Sequence, residues 1–289
     1  MRILLTGASG YMGRPLAAAL AKRHQVTGTY LTEPAPIPGC GLVRLDLTDA
    51  AAVGRFVKES APEVVIHAAA DSKPEHCEKH PEEARRVNVA ATETLSQAAA
   101  GARFLYISTD LVFDGKKPPY REDDPPNPMN LYGRTKVSAE RAVLARAGEV
   151  LRLSLCYGWK KVGPGYFTDW LHGSLAKGEK VSLFTDQRRA VLLMEDAVTM
   201  IERLLDLPKA HAIMHMAGPR PVSRFEFGKA MCEVFGFDPG LVVPAVMADV
   251  PGAAARPGDC SLDGSKLNLL LGFAPRGIRE GLERLRRAG

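Results

Sequence analysis

The chain has 289 residues, 46% of them apolar and 25% charged, with a formal net charge of +5. That length suits one large α/β unit or two closely packed domains with ample core, and the composition is that of a soluble globular protein. No apolar run reaches membrane-spanning length, and the basic residues are scattered without aromatic interleaving, so neither a membrane nor a nucleic-acid partner is expected.

The N-terminus runs straight into a strand, leaving no room for a signal peptide, so a cytoplasmic protein is expected. Residues 2–6 read as a short buried strand and 12–23, rich in Ala and Leu, as a helix. A second strand is expected over 26–31. The segment from Glu33 to Gly39 is a loop, because its three prolines forbid a helix. A third strand (42–45), a helix (49–60), a fourth strand (63–68) and a long helix (81–100) follow. A fifth strand (103–108), a helix (130–147) and a sixth strand (150–153) complete the regular part. Strands alternating with helices of this length predict βαβ crossovers and a parallel sheet.

Near residue 155 the rhythm breaks, with Gly158, Gly163, Pro164 and Gly165 in an irregular stretch. Beyond it a strand (180–184), a helix (195–205), a strand (212–216) and helices over 223–235, 263–271 and 276–287 are expected. The fold class is α/β, a Rossmann-type doubly wound parallel sheet with a smaller, discontinuous C-terminal substrate domain. Residues 1–155 form the dinucleotide-binding domain, with 190–217 returning to it, and 156–189 with 218–289 form the substrate domain.

Gly7, Gly10 and Gly13 give Gly-x-x-Gly-x-x-Gly between the first strand and the first helix. Such a turn brings backbone N–H groups to a pyrophosphate at a helix N-terminus. Ser9, Tyr11 and Met12 share the turn and are candidate cofactor contacts. Asp46 follows the third strand, where a carboxylate can accept from adenine, and Leu47 beside it is a further candidate cofactor contact, whereas Asp49 reads as the cap of the next helix. Thr29 to Thr32, at the end of the second strand, carries no ribose-binding acid, with Glu33 slightly late. Arg14 can meet a 2′-phosphate. NADP(H) is therefore slightly favoured over NAD(H).

Tyr132 and Lys136 lie four apart on one helix, so both face the same way. A neighbouring ammonium stabilises a phenolate and lowers the tyrosine pKa toward working pH. Tyr157 and Lys161 repeat the spacing after a strand and lack the helical setting. Thr109 ends the fifth strand, where ligands of such sheets bind, while Ser108 reads as a strand-end hydroxyl bonded to local backbone. His211 and His215 are too far apart on a strand to share an ion. His76 and His80, ahead of a helix, lack a further ligand, so no metal is expected. Cys40, Cys77, Cys156, Cys232 and Cys260 contain no Cys-x-x-Cys pair and read as free thiols.

These motifs together resemble the extended short-chain dehydrogenase/reductases, and more closely the dTDP-4-dehydrorhamnose reductase family. The resemblance spans nearly the whole chain. It rests on Thr6-Gly7-x-x-Gly10-x-x-Gly13, on Val65 to Ala70, on Ser108 to Gly115, on Pro119 to Asp123, on Asn130 to Lys136, and on Arg256-Pro257 with Leu262 to Leu267. It implies NAD(P)H-dependent reduction of a 4-keto nucleotide sugar, with Tyr132 as proton donor, Lys136 on the nicotinamide ribose and Thr109 orienting the carbonyl. It also implies that Ala68, Ala69 and Ala70 pass beside the cofactor, that Asn88 supports its helix, and that Asp110, Val112 and Arg256 meet the substrate. A homodimer is the expectation for the class.

Two segments depart from the family, both where the sugar would bind. Leu155 stands near a usual aromatic position, and Arg188-Arg189-Ala190-Val191-Leu192 follows Asp186-Gln187 where a Gly-Ala-Pro-Thr-like segment is usual. The stretch from Asp110 to Lys136 is also similar to the methionine adenosyltransferase regulatory beta subunits, which implies a dinucleotide-binding regulator as the alternative. An epimerase or dehydratase of nucleotide sugars is the third reading.

Overall fold

The computed structural model describes all residues except 33, 35, 161–164, 210, 211, 250–254 and 289. Glu33, Lys161, Gly163, Pro164 and His211 therefore lie outside the described residues. In chain order the strands are β1 (Arg2–Thr6), β2 (Gln25–Tyr30), β3 (Cys40–Arg44), β4 (Val64–His67), β5 (Arg103–Thr109), β6 (Glu149–Leu153), β7 (Cys156–Tyr157), β8 (Val181–Phe184), β9 (Arg188–Arg189), β10 (Leu192–Leu193), β11 (Ile213–Met216), β12 (Val222–Ser223) and β13 (Val242–Ala245). The helices are α1 (Gly13–Leu20), α2 (Ala50–Ser60), α3 (Pro74–Lys79), α4 (Pro81–Arg85), α5 (Ala91–Ala98), α6 (Leu131–Leu144), α7 (Phe167–Ala176), α8 (Met194–Leu205), α9 (Arg224–Phe235), α10 (Ser265–Leu271) and α11 (Ile278–Ala288).

Seven strands form one sheet in the order β11-β6-β5-β4-β1-β2-β3, every pair parallel. The apolar run Ile3-Leu4-Leu5 explains its two-sided cover, because successive side chains point to opposite faces. Ile3 and Leu5 pack with Leu16 and Leu20 of α1 and with Met200, Ile201 and Leu204 of α8. Leu4 packs the other way, with Val53 and Val57 of α2, Leu95 of α5 and Val143 of α6. The chain reverses its direction of travel across the sheet at β1, which has β2 on one side and β4 on the other. The crevice above their carboxyl ends is where an open α/β sheet binds its ligand.

A separate core gathers Leu171 and Leu175 of α7, Val181 and Leu183 of β8, Phe227 and Met231 of α9, and Leu282 and Leu285 of α11. Its short strands pair β7 with β10, β9 with β12, and β8 with β13.

Two helices have no counterpart in the sequence reading. Helix α7 follows the irregular stretch and starts on a capping box in which the Asp169 side chain accepts from the Tyr166 N–H at 2.9 Å. Helix α3 carries His76, with His80 as its C-cap, so the pair does not simply precede a helix. The long helix expected over 81–100 is instead α4, a π turn at Arg86–Ala90, and α5. Widened turns of this kind are frequent at functional sites, and this one holds Asn88.

Asp49 caps α2, its Oδ1 accepting from the Ala52 N–H at 2.9 Å. Replacing Asp49 by Ala should lower stability by about 1 kcal/mol. The readout is a lower urea midpoint at unchanged slope.

Candidate active site

The glycine turn floors the crevice by close approach. Gly7 has a φ of 69°, and a Cβ there would meet the Ala69 nitrogen at 2.8 Å; one on Gly13 would stand 2.1 Å from the Gly7 carbonyl oxygen. Helix α1 starts at this turn with no side-chain cap and no acidic residue in its first turn. Within α1 the Arg14 N–H is taken by the Gly10 carbonyl at 3.0 Å and residue 15 is proline, so an anion would be met by the backbone N–H groups of the turn just ahead of the helix. The turn, the bare backbone and the uncapped helix together fit the pyrophosphate of a dinucleotide.

A cleft of about 700 Å³ runs from this turn. It brings together Gly7, Ser9, Gly10, Tyr11, Met12, Gly13, Asp46, Leu47, Ala68, Ala69, Ala70, Thr109, Asp110, Tyr132 and Lys136. Leu155, which the sequence places where the sugar would bind, lines it as well, with Cys156 beside it, and so do residues that the sequence did not single out, among them Arg86, Ser154, Tyr166, Phe167 and Met194. Tyr166 packs against Tyr11 with ring centroids 4.3 Å apart and planes tilted by 35°, and the Tyr11 hydroxyl donates to the Gly158 carbonyl at 2.9 Å. No sequence pattern marks this contact, because Tyr166 sits in the Gly-rich stretch before α7. Asp46 is engaged locally: its Oδ1 accepts from the Thr48 N–H at 2.8 Å and the Thr48 hydroxyl at 2.7 Å. Those two bonds hold its carboxyl below the usual range.

Asn130 caps α6 by accepting from the Gly133 N–H at 2.8 Å, and this sets Tyr132 and Lys136 on the inner face of the first turns. Thr109 ends β5, donating to Asp110 Oδ1 at 3.0 Å and accepting from the Leu111 N–H at 3.2 Å. Tyr132 is buried, and burial and then the Asp110 charge raise its phenol well above the ordinary value, with the neighbouring Thr109 hydroxyl pulling the other way.

The expected lowering of the Tyr132 pKa by Lys136 is not what the structure holds. The Lys136 ammonium donates to the Ile107 carbonyl at 2.7 Å and sits 4.0 Å over the Tyr106 ring. Burial lowers its pKa to about 7, with Glu140 opposing. Lys136 is not among the main influences on the Tyr132 phenol, which are burial and Asp110.

The site stands on buried polar groups. His67, at the end of β4, shares a hydrogen bond with the Thr6 hydroxyl at 2.6 Å and another with the Thr92 hydroxyl at 2.9 Å. Burial first, and Lys136 second, depress its pKa to about 3. The unfolded chain therefore takes up a proton that the folded chain refuses. This contribution to stability is complete above about pH 6.5 and is lost as pH falls toward about 3. In a His67→Gln variant, the fall of unfolding free energy between pH 6 and 4 should be shallower by about 1.4 kcal/mol per pH unit. Parallel urea titrations check it, and equal slopes would contradict it.

Ser108 differs from its reading as a locally bonded hydroxyl. It donates across the core to Glu140 Oε1 at 2.5 Å, and the same carboxylate pairs with Arg152 at 2.9 Å.

Four expected contacts do not line the cleft. Asn88 lies beneath it: its amide donates to the Asp71 carbonyl at 3.0 Å and the Thr135 hydroxyl at 3.1 Å, and its oxygen accepts from the Asp71 N–H at 2.8 Å. Asn88 thereby ties the loop after β4 to α6. Arg14 donates to the Pro36 carbonyl at 2.7 Å, in the loop after β2. Val112 is fully buried with Phe113, Tyr120 and Val137, because the turn after β5 points it into the core. Arg256 pairs with Glu75. His76 bonds Asp71 at 2.7 Å, and among the described residues no three His, Cys, Asp or Glu side chains are grouped to hold a metal.

Residues 1–288 match the family described as the RmlD substrate binding domain. The chain belongs to that family. Among family relatives, it is 36% identical to methionine adenosyltransferase 2 subunit beta of Xenopus tropicalis, over 97% of this chain and 87% of that one. It is 34% identical to a probable low-salt glycan biosynthesis reductase, Agl14, of Haloferax volcanii, over 100% of this chain and 98% of that one. The crystal structure of dTDP-4-dehydrorhamnose reductase from Bacillus anthracis in complex with NADP superposes with a TM-score of 0.86 at 28% identity, covering 100% of this chain and 98% of that one. Among the described residues of this RmlD-family chain, no helix is long and apolar enough to cross a membrane.

Proposed function

We propose that this RmlD-family chain is a NAD(P)H-dependent reductase of a 4-keto nucleotide sugar. The observation that carries the reading is the meeting of Thr109 and Tyr132, at the end of β5 and the start of α6, in the cleft that the glycine turn floors. The Haloferax volcanii reductase and the NADP complex from Bacillus anthracis support it.

Bound in this cleft, a nicotinamide dinucleotide supplies hydride. The backbone of Gly7 to Gly13 holds its pyrophosphate, Ala68 to Ala70 flank it, and Lys136 meets its nicotinamide ribose. Thr109 orients the sugar carbonyl by turning its one hydroxyl proton from Asp110 Oδ1 to the sugar oxygen. Tyr132 gives that oxygen its proton, and the raised pKa keeps the phenol protonated across the neutral range. NADP(H) is proposed over NAD(H), because Thr29 to Thr32, which line the cleft, carry no carboxylate to take a ribose 2′-hydroxyl. Residues 1–155 with 190–217 are proposed as the dinucleotide-binding part, since β11 joins the main sheet. Residues 156–189 and 218–289 are proposed as the substrate part, around the second core.

The test is NADPH oxidation by purified protein against dTDP-4-dehydro-6-deoxy-L-mannose and other nucleotide-linked 4-keto sugars. Oxidation that requires the keto sugar is expected. A second reading is favoured by the 36% identity to a methionine adenosyltransferase subunit, namely a dinucleotide-binding regulatory subunit. It predicts dinucleotide binding without oxidation, and a stable complex with a catalytic partner.

A further inference from the structure

One polar group at the substrate end of the cleft is not used by the reduction just described. Leu155, Cys156 and Phe167 wall both the cleft and a small adjoining cavity of about 10 Å³, enough for about one water molecule. Arg224, the first residue of α9, and Arg189 of β9 line that cavity.

The two guanidinium groups differ in their partners. Arg189 lies 3.0 Å from Asp110 Oδ2 and donates to the Gly258 and Pro257 carbonyls. Arg224 donates through Nε to the neutral Gln187 side chain at 3.1 Å and stacks 4.2 Å from the centre of the Phe167 ring. Its Nη1 is shut off from solvent with no hydrogen-bond partner. Arg224 makes none of the ion pairs found among the described residues.

Of the three arginines here, Arg189 pairs with Asp110 and Arg256 with Glu75, and Arg224 makes no ion pair of its own. Burial, and then Arg189 and Arg256, lower the Arg224 pKa only to about 10, so it keeps its charge at neutral pH. A guanidinium N–H buried without a partner is costly unless an oxygen completes it, and a carboxylate oxygen does so through the stronger, charge-assisted bond. The cavity has room for a single oxygen atom and not for a diphosphate or a sugar ring, so the ring itself would stay in the cleft that shares the walls Leu155, Cys156 and Phe167. This is also the region where Leu155 and Arg188-Arg189 depart from the usual family residues.

We propose that Arg224 seats a carboxylate carried by the sugar, so that the substrate is an acidic, uronate-type nucleotide sugar. The proposal rests on the nucleotide-sugar reading above. It is tested by calorimetric titration of the whole chain, with NADP⁺ present, against UDP- and dTDP-linked glucuronate and against the matching neutral glucose compounds. The parent should bind the acid about tenfold to a hundredfold more tightly, the worth of one charge-assisted hydrogen bond. In R224Q that ratio should fall to about one, with retained NADP⁺ affinity showing that the variant is folded.

A parent ratio near one overturns the proposal and needs no variant. Equal weakening of both sugars in R224Q also overturns it, because that outcome assigns Arg224 to the diphosphate they share. Binding of neither sugar overturns the nucleotide-sugar reading and this proposal with it.

Discussion

Replacing Tyr132 by Phe is expected to lower the rate of NADPH oxidation by about 10²–10⁴-fold while leaving dinucleotide affinity close to that of the parent. The substitution removes one oxygen and keeps the ring, which packs with Cys77, Ala84 and Leu131. The Thr109 hydroxyl remains to orient a carbonyl, so the loss belongs to the proton. Because the Tyr132 pKa is raised, the parent should hold its reductive rate well into the alkaline range, the acid being spent only when the phenol ionises. Steady-state kinetics beside a dinucleotide titration separate the two effects. Turnover in Y132F equal to the parent would remove Tyr132 from its role.

The second large effect is on stability. Arg152 and Glu140 are almost wholly buried, 2% and 3% exposed, and are paired at 2.9 Å. Arg152 Nη1 also faces His215 Nε2 at 3.5 Å. Replacing Arg152 by Ala strands the Glu140 carboxylate in the core, an expected cost of about 3–5 kcal/mol. That is a large share of the roughly 5–15 kcal/mol by which domains are stable. Replacing both partners with apolar side chains, R152M with E140L, should cost less than R152A alone, since no charge is then left unpaired. Urea unfolding of the three proteins decides this. Activity should fall in R152A as well, because Glu140 holds Ser108 beside Thr109.

How much of this could be read in advance depended on how local the signal is. The apolar runs of β1 and β4, and the glycines between β1 and α1, carry their structure in adjacent residues, and the parallel sheet follows from their spacing. The pairing of Thr109 with Tyr132 and Lys136 was legible because strand ends and helix faces are periodic. The paired strands β7, β9, β10 and β12 are two residues long, too short for any period. Helix α7 was hidden by the glycines around it. The state of Lys136 depends on what buries it, through Ile107 and Tyr106, and spacing along α6 cannot report that. The same holds for Arg224, whose missing partner is visible only once Gln187 and Phe167 are in place.

The central claim is tested most directly by following the hydride. The whole chain is incubated with NADPH deuterated at the transferable nicotinamide position and with neutral and acidic nucleotide-linked 4-keto sugars, and the products are read by NMR. Deuterium on the sugar carbon that carried the keto group is the predicted result. Tight NADPH binding with every sugar recovered unreduced and unlabelled would contradict the reductase reading and leave the regulatory subunit in its place.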